Sequence, residues 1–175
     1  MKGQQFLLTI VVITTILETM AGRLQSQIKR RKPLPLLEAA AFVNLQRTAD
    51  FLMRGLVELL KPAGLSRAQY NVLRILRGAG RDGLACRAVG DRMITKDPDM
   101  TRLLDRLEAR KLVARSREQQ DRRVITARIT GEGLRLLKEL DRPVAELHER
   151  QLGHVPGPRL RALIELLETA RERAT

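Results

Sequence analysis

The stretch of sequence that decides the fold runs from residue 84 to residue 133: LACRAVGDRMITKDPDMTRLLDRLEARKLVARSREQQDRRVITARITGEG. Residues 84–93 have the pattern of a short helix, and residues 98–111 have that of a second helix. Asp97 is predicted to cap the second helix, with Pro98 at its first position. Two short helices joined by a tight turn predict a helix-turn-helix.

The second helix of this motif has an apolar side and a polar side. We expect the apolar side to be buried through Leu103, Leu104 and Leu107. The side toward solvent then carries Thr101, Arg102, Asp105 and Arg106. Because such a helix fits the major groove, we predict that Thr101 and Arg102 read bases, Arg102 at guanine, and that Arg106 also contacts DNA. The alternative is an ordinary solvated helix face.

Two strand-like runs follow, at residues 112–117 and 124–130, and the polar loop 118–123 joins them. In the second run Ile125, Ala127 and Ile129 alternate with Thr126 and Arg128, so we expect one buried and one exposed face. The two runs predict a β-hairpin beside the helix-turn-helix, which is the arrangement of a wing.

The predicted wing is rich in arginine. Its loop contains Arg122 and Arg123, and the flanking arginines are Arg115, Arg117 and Arg128. Arginine side chains on a hairpin can enter a minor groove, where the negative potential of DNA is concentrated. We predict DNA contacts by Arg117, Arg122 and Arg123, with Asp121 orienting a neighbouring arginine.

Asp121-Arg122-Arg123, followed by Ile129-Thr130-Gly131-Glu132-Gly133, resembles the wing signature of the MarR-type regulators, a family named for multiple antibiotic resistance. Residues 100–108, MTRLLDRLE, are similar to the recognition helix of that family. The resemblance covers residues 36–173. At Lys111 the sequence departs from the family, which commonly has glycine after the recognition helix.

The resemblance implies a homodimer in which the first helix and the last two pack against the partner, with a winged domain on each flank. It implies binding to a palindromic operator in double-stranded DNA, usually as a repressor. It also implies release by a small aromatic effector that enters a cleft between the dimer helices and the winged domain. Residues 36–61 and 131–175 are therefore assigned to dimerisation, and residues 62–130 to the winged helix-turn-helix.

Upstream of the motif, residues 36–60 have apolar side chains at spacings of three and four, which predict one long amphipathic helix. A second helix is predicted over residues 66–77, with Ser66 as N-cap and Gln69 as its capping-box partner. Because a helix N-terminus attracts anions, Ser66 and Arg67 are predicted to contact phosphate, and Gln69 is included among the DNA-binding residues.

Downstream of the wing, apolar spacing predicts two further helices. The first follows Gly131 and is expected to be interrupted at Pro143, because proline lacks the N–H that a helix interior uses. Pro158 is predicted to open the last helix. The fold class is therefore mainly α with a small β-hairpin wing, a winged helix-turn-helix with a helical dimerisation region.

The charge of the chain is concentrated where the DNA contacts are predicted. The formal net charge is +13, and residues 62–130 alone carry 16 basic and 8 acidic side chains. Residues 131–175 carry 8 of each. A polyanionic partner is favoured, because lysine and arginine that neutralise phosphates release condensed counterions.

Other classes of site are disfavoured by composition. Cys86 is the single cysteine, so no intrachain disulfide can form, a reducing cytoplasm fits, and a packed core thiol is a better interpretation than a peroxide sensor. His148 and His154 lack the neighbours that a zinc site needs. The sequence contains no nucleophile elbow, phosphate loop or zinc-protease motif. We therefore expect no enzyme, no cofactor and no metal.

The first nineteen residues include the apolar run 6–17, which is shorter than the ~20 residues that span a bilayer. A signal peptide is one interpretation of this leader. We prefer a translation start at Met20, which leaves 1–19 outside the mature fold and predicts no membrane partner. Residues 20–35 then form a basic arm, extended by Pro33 and Pro35.

Taken together, these patterns predict a cytoplasmic, homodimeric, sequence-specific transcriptional regulator. An architectural DNA-binding protein with little sequence preference would use the same basic surface and is the alternative. An exported or membrane-tethered interaction protein is a third possibility, supported only by residues 1–19.

Overall fold

A computed structural model describes residues 36–95, 99–117 and 124–172 of the chain. The helices of these residues are α1 (Leu37–Leu60), α2 (Arg67–Ala79), α3 (Cys86–Asp91), α4 (Met100–Ala109), α5 (Gly131–Leu152) and α6 (Gly157–Glu172). The strands are β1 (Leu84–Ala85), β2 (Val113–Arg117) and β3 (Ile125–Ile129), which form an antiparallel sheet in the order β1-β3-β2. The predicted fold class, mainly α with a small β wing, is confirmed.

The core lies among α2, α4, α5 and the sheet. Its fully buried large side chains are Leu60, Leu73, Leu76, Leu104, Leu107, Leu137, Val72, Val89 and Val113. The predicted apolar side of α4 is confirmed, since Leu103, Leu104 and Leu107 are all buried. The described residues form two compact units that meet in sequence between Met53 and Arg54, and this core belongs to the second.

The predicted hairpin is extended to a three-stranded sheet by β1, whose residues were predicted to lie in a helix. Leu84 pairs with Ala127, and α3 starts only at Cys86. Gly83 makes this pairing possible: its φ is +73°, and a Cβ there would collide with the carbonyl oxygen of Ala127. Because glycine alone tolerates both conditions, the chain can approach β3 closely enough to form β1.

The predicted alternation along β3 is wrong. Thr126 and Ala127 are both buried, whereas Ile125 is 41% exposed. β3 is the middle strand of the sheet, and α2 and α3 both contact it. A central strand covered by helices can bury neighbouring positions, so the simple two-sided pattern fails here.

The start and the end of α4 also differ from prediction. Asp99 is the N-cap, and its carboxylate accepts the backbone N–H of Arg102 at 3.1 Å. The cap predicted at Asp97 is therefore wrong, and Asp97 and Pro98 themselves lie outside the described residues. At the other end the helix stops at Ala109.

Lys111 has the left-handed backbone conformation that glycine adopts most easily. The resemblance described above implies glycine at this position. The φ of Lys111 is +59°, its N–H donates to the Glu108 carbonyl, and the N–H of Leu112 donates to the Leu107 carbonyl. These two hydrogen bonds form a Schellman motif, which turns the chain from α4 into β2. A residue with a Cβ costs ~1 kcal/mol in this conformation, so the departure from the family carries a small strain.

Pro143 does not interrupt α5, contrary to expectation, because the helix continues from Gly131 to Leu152 around it. Leu140, Val144 and Leu147 are buried on both sides of the proline, and their packing offsets the lost hydrogen bond. The last helix begins at Gly157, one residue before the predicted opening at Pro158.

Hydrogen bonds and close packing join the end of α4 to the beginning of α5. Thr130 is the N-cap of α5: its hydroxyl oxygen accepts the N–H of Gly133 at 3.1 Å and donates to the Lys111 carbonyl at 2.6 Å. Gly133 packs so closely on Leu112 that a Cβ would collide with the Leu112 carbonyl oxygen. The motif quoted above as Ile129-Thr130-Gly131-Glu132-Gly133 thus has a structural reason for its threonine and its last glycine.

An ion pair between Arg77 on α2 and Asp141 on α5 is sensitive to pH. One Arg77 nitrogen donates to both carboxylate oxygens of Asp141, at 2.9 and 2.8 Å, and this hydrogen bonding lowers the pKa of Asp141 below its ordinary value of 3.8. A carboxyl group with a depressed folded-state pKa stabilises the fold above its unfolded pKa. That stability is lost as the pH falls through the folded pKa.

We predict that Asp141→Asn lowers the free energy of unfolding at neutral pH by ~0.2–1 kcal/mol, the range for a solvent-exposed pair. The difference from the native chain should vanish well below pH 3.8, where Asp141 becomes protonated in both states. Urea unfolding at the two pH values measures both quantities, with Glu139→Gln on the same helix as control. A difference that persists at low pH would contradict this assignment.

Candidate nucleic-acid interface

The N-terminus of α2 carries the predicted capping box, which is confirmed. The Ser66 hydroxyl oxygen accepts the N–H of Gln69 at 3.1 Å, and the Gln69 side-chain oxygen accepts the N–H of Ser66 at 2.9 Å. Gln69 is only 8% exposed and its side-chain oxygen is used in the cap, so it is not retained among the proposed DNA contacts. Ser66 and Arg67 are exposed at this helix end and remain the candidates there for phosphate contact.

The exposed side of α4 carries the predicted base-reading residues. Thr101, Arg102, Asp105 and Arg106 are all exposed. Since three leucines hold the opposite side in the core, the helix presents a fixed polar and basic face. α2 packs against α4, and the short helix α3 precedes α4 in the chain, so α4 is the second helix of the predicted helix-turn-helix.

Arg102 uses one guanidinium nitrogen, Nε, in an ion pair, and most of its side chain is exposed. Its Nε lies 3.0 Å from the Asp99 carboxylate, and 78% of its side chain is exposed. The pair with Asp99 uses Nε, so the terminal guanidinium nitrogens can address the O6 and N7 atoms of a guanine. Asp99 therefore serves both as the helix cap and as the support for Arg102.

We predict that Asp99→Ala lowers the free energy of unfolding by ~0.5–2 kcal/mol, because it removes the side-chain acceptor that caps α4. Asp99→Asn keeps a capping oxygen and loses only the ion pair, so it should cost clearly less. Chemical denaturation of the two variants provides the comparison. Equal losses would mean that the cap contributes nothing measurable.

The two ends of α4 are tied to the rest of the domain by side chains that the sequence analysis missed. Arg110 donates to the carbonyl oxygens of Ala63 and Gly64, at 2.9 and 2.6 Å. Before α4, the side-chain oxygen of Asn71 accepts the backbone N–H of Ile94 at 2.9 Å. No local sequence signal identifies these bonds, because each joins segments that are far apart along the chain.

Arg115, predicted as one of the arginines flanking the wing loop, is turned toward α4. Its guanidinium pairs with Asp105 and with Glu108, at 2.5 and 2.6 Å. Hydrogen bonding from Arg115 lowers the pKa of Glu108, and hydrogen bonding to Glu108 raises the pKa of Arg115. Both groups are therefore charged at neutral pH.

The wing presents further arginines. Arg117 is exposed at the end of β2, opposite Ile125, and Arg128 donates to the Ser116 hydroxyl oxygen at 2.6 Å. Asp121, Arg122 and Arg123 lie outside the described residues. The strands thus carry the wing loop and place Arg117 at its base.

Cys86 is half-buried and packs against the core, which agrees with its interpretation as a packed thiol. Burial raises its pKa, an effect that the charge of Arg115 partly counters. His148 and His154 are exposed, and no group of three or more potential metal ligands occurs within the described residues. Across the same residues, no helix is long and apolar enough to span a bilayer.

Comparison with known proteins agrees with this geometry. A family model described as MarR family matches residues 63–124. The HTH-type transcriptional repressor MdtR of Bacillus subtilis (strain 168) is 33% identical over 91 residues, which are 52% of this chain and 57% of that protein's length.

Solved structures extend the comparison beyond the winged domain. The MarR transcription factor from Planctomyces limnophilus is 42% identical, with a TM-score of 0.61 over 78% of this chain and 98% of that one. CouR from Rhodococcus jostii RHA1, solved bound to p-coumaroyl-CoA, is 26% identical, with a TM-score of 0.67 over 78% and 95%. The chain therefore belongs to the MarR family of winged helix-turn-helix, DNA-binding transcriptional regulators.

Proposed function

We propose that this chain is a sequence-specific repressor that binds a palindromic operator as a homodimer and acts in the cytoplasm. The observation that carries the proposal is the exposed face of α4. Three buried leucines fix this helix, while Thr101, Arg102 and Arg106 point to solvent from its other side. Such a face reads bases in the major groove.

The remaining DNA contacts surround this helix in the proposed complex. Ser66 and Arg67 hold phosphate from the N-terminus of α2, where backbone N–H groups and the helix dipole favour an anion. Arg117, Arg122 and Arg123 supply the wing contacts, with Asp121 orienting one of them. The concentration of positive charge over residues 62–130 supports the assignment of the DNA contacts to this part of the chain.

Homodimerisation is proposed through residues 36–61 and 131–175. Within the first unit, residues 37–53 of α1 expose large apolar side chains: Leu37, Phe42, Leu45, Phe51 and Met53. α6 has no buried residue and exposes Leu163, Ile164 and Leu166. Apolar side chains in this number indicate surfaces that a partner covers. Light scattering should give the mass of a dimer.

Release by a small aromatic effector completes the proposal. Its support is CouR, a relative that is 26% identical and was solved bound to p-coumaroyl-CoA. The effect is testable once operator binding is established, by titrating phenolic compounds into the complex. A compound that lowers operator affinity without unfolding the protein is the expected result.

The experiment that tests the central proposal is a binding titration of the full chain. The two duplexes are the intergenic DNA upstream of its own gene and a scrambled version, each at two salt concentrations. A preference of ~10³-fold or more for the native duplex supports a sequence-specific regulator. Equal and steeply salt-dependent binding would favour an architectural protein, and no binding would overturn both.

A further inference from the structure

Arg115 belongs to strand β2, at the base of the wing, yet its side chain contacts α4. Only 22% of this side chain is exposed, compared with 51% for Asp105 and 38% for Glu108. The arginine is therefore more buried than its two carboxylate partners, and it joins α4 to the strand that follows it across a short turn.

The geometry of this bridge requires a guanidinium. Nε of Arg115 donates to one Glu108 oxygen at 2.9 Å, and Nη2 donates to the same oxygen at 2.6 Å. Nη2 also donates to Asp105 at 2.5 Å, while the backbone N–H of Arg115 donates to the other Glu108 oxygen at 3.0 Å. A lysine ammonium carries the same charge but lacks the planar arrangement of donors that makes these contacts.

Asp105 links this bridge to the base-reading face. It follows Thr101 by four residues and Arg102 by three, which places all three on the same side of α4. The leucines on the buried side hold the helix by apolar packing, which is not directional. Hydrogen bonds from Arg115 are directional, so they fix the rotation of α4 about its own axis relative to the sheet.

We propose that Arg115 is a positioning residue for base readout: it fixes the orientation of α4 against the wing and thereby sets sequence preference without touching DNA. This inference rests on the proposed sequence-specific function of α4. If the helix turns, Thr101 and Arg102 miss the base edges, whereas the charges that attract phosphate stay in place. Specific binding is therefore lost while non-specific binding is kept.

The test uses the full chain and the variants Arg115→Lys and Arg115→Gln. Each is titrated against the native duplex and the scrambled duplex over a range of salt concentrations. For both variants we expect the ratio of the two affinities to fall roughly tenfold, within the range that one base-reading pair supplies. Affinity for the scrambled duplex and the salt dependence should change little with Arg115→Lys.

A matched control is Arg128→Lys, on the neighbouring strand. Arg128 also donates to a side chain, the Ser116 hydroxyl, but that residue belongs to β2. This variant should keep the native preference. Thermal unfolding of all variants shows which are folded at the temperature of the titration, and Arg115→Lys decides the matter if Arg115→Gln is unfolded.

Two outcomes would overturn the inference. If Arg115→Lys kept the native preference between the two duplexes, a positive charge at residue 115 would be enough for sequence preference. The planar hydrogen bonds of the guanidinium would then have no role in it. An equal loss on both duplexes, with a shallower salt dependence, would show that Arg115 binds phosphate directly. Absence of any preference in the native chain is a different result, because it removes the proposed function itself.

Discussion

Arg102→Ala is expected to weaken binding to the operator by ~1–3 kcal/mol and to relax sequence preference at one position of each half-site. The side chain is 78% exposed, so little stability should be lost with it. In the proposed complex, the variant loses a pair of parallel hydrogen bonds from Arg102 to guanine, and the guanine acceptors are left without a partner. The change should therefore be larger on the operator than on unrelated DNA.

The measurement is a titration of native and Arg102→Ala chains against the operator and its single-base variants. Arg102→Lys is the matched control, since it keeps the charge and loses the paired donors; it should resemble the alanine variant in preference and the native chain in salt dependence. Arg123→Ala, in the wing, should instead weaken binding to all duplexes evenly and lower the salt slope by about one. Native behaviour in both alanine variants would refute the site assignment.

Local features of this chain were predictable from sequence because they depend on neighbours along one helix. The Ser66–Gln69 capping box follows from a spacing of three residues, and both of its hydrogen bonds are present. The burial of Leu103, Leu104 and Leu107 follows from helical periodicity in the same way. Each signal is complete within one turn or two of helix, so no tertiary contact was needed to read it.

Other features depend on segments that meet only in the folded chain. Arg110 binds carbonyl groups some forty-six residues upstream, and Arg115 contacts α4 across a turn. The pairing of Leu84 with Ala127 depends on how closely Gly83 can approach β3. An arginine in a basic stretch has the same sequence appearance whether it faces DNA or a carboxylate, and only tertiary structure separates the two.

Ambiguity also arises where two residues satisfy the same rule. Asp97 and Asp99 flank Pro98, and either aspartate has the chemistry of an N-cap. The structure selects Asp99, which starts α4 two residues later than predicted. At Pro143 the local rule for proline was outweighed by the buried side chains around it, which is a tertiary effect.

The second large effect is expected at Gly133, in the closely packed junction between α4 and α5. Gly133→Ala should lower the free energy of unfolding by ~1–3 kcal/mol, as overpacking does in a tight core. A Cβ there would collide with the Leu112 carbonyl oxygen and lie 2.8 Å from a side-chain carbon of Ile129. The Leu112 carbonyl already accepts the N–H of Thr130 at 3.1 Å, so it cannot move aside without breaking that bond.

Gly131, two residues earlier in the same helix, is the matched control. A Cβ at Gly131 would meet nothing within 4 Å, and the residue is exposed. Gly131→Ala should therefore stabilise the fold by up to ~1 kcal/mol, because alanine loses less backbone freedom on folding. Urea unfolding of both variants should give opposite signs. If Gly133→Ala were as stable as Gly131→Ala, close packing at Leu112 would not explain the glycine, and the junction that positions the end of α4 would tolerate displacement.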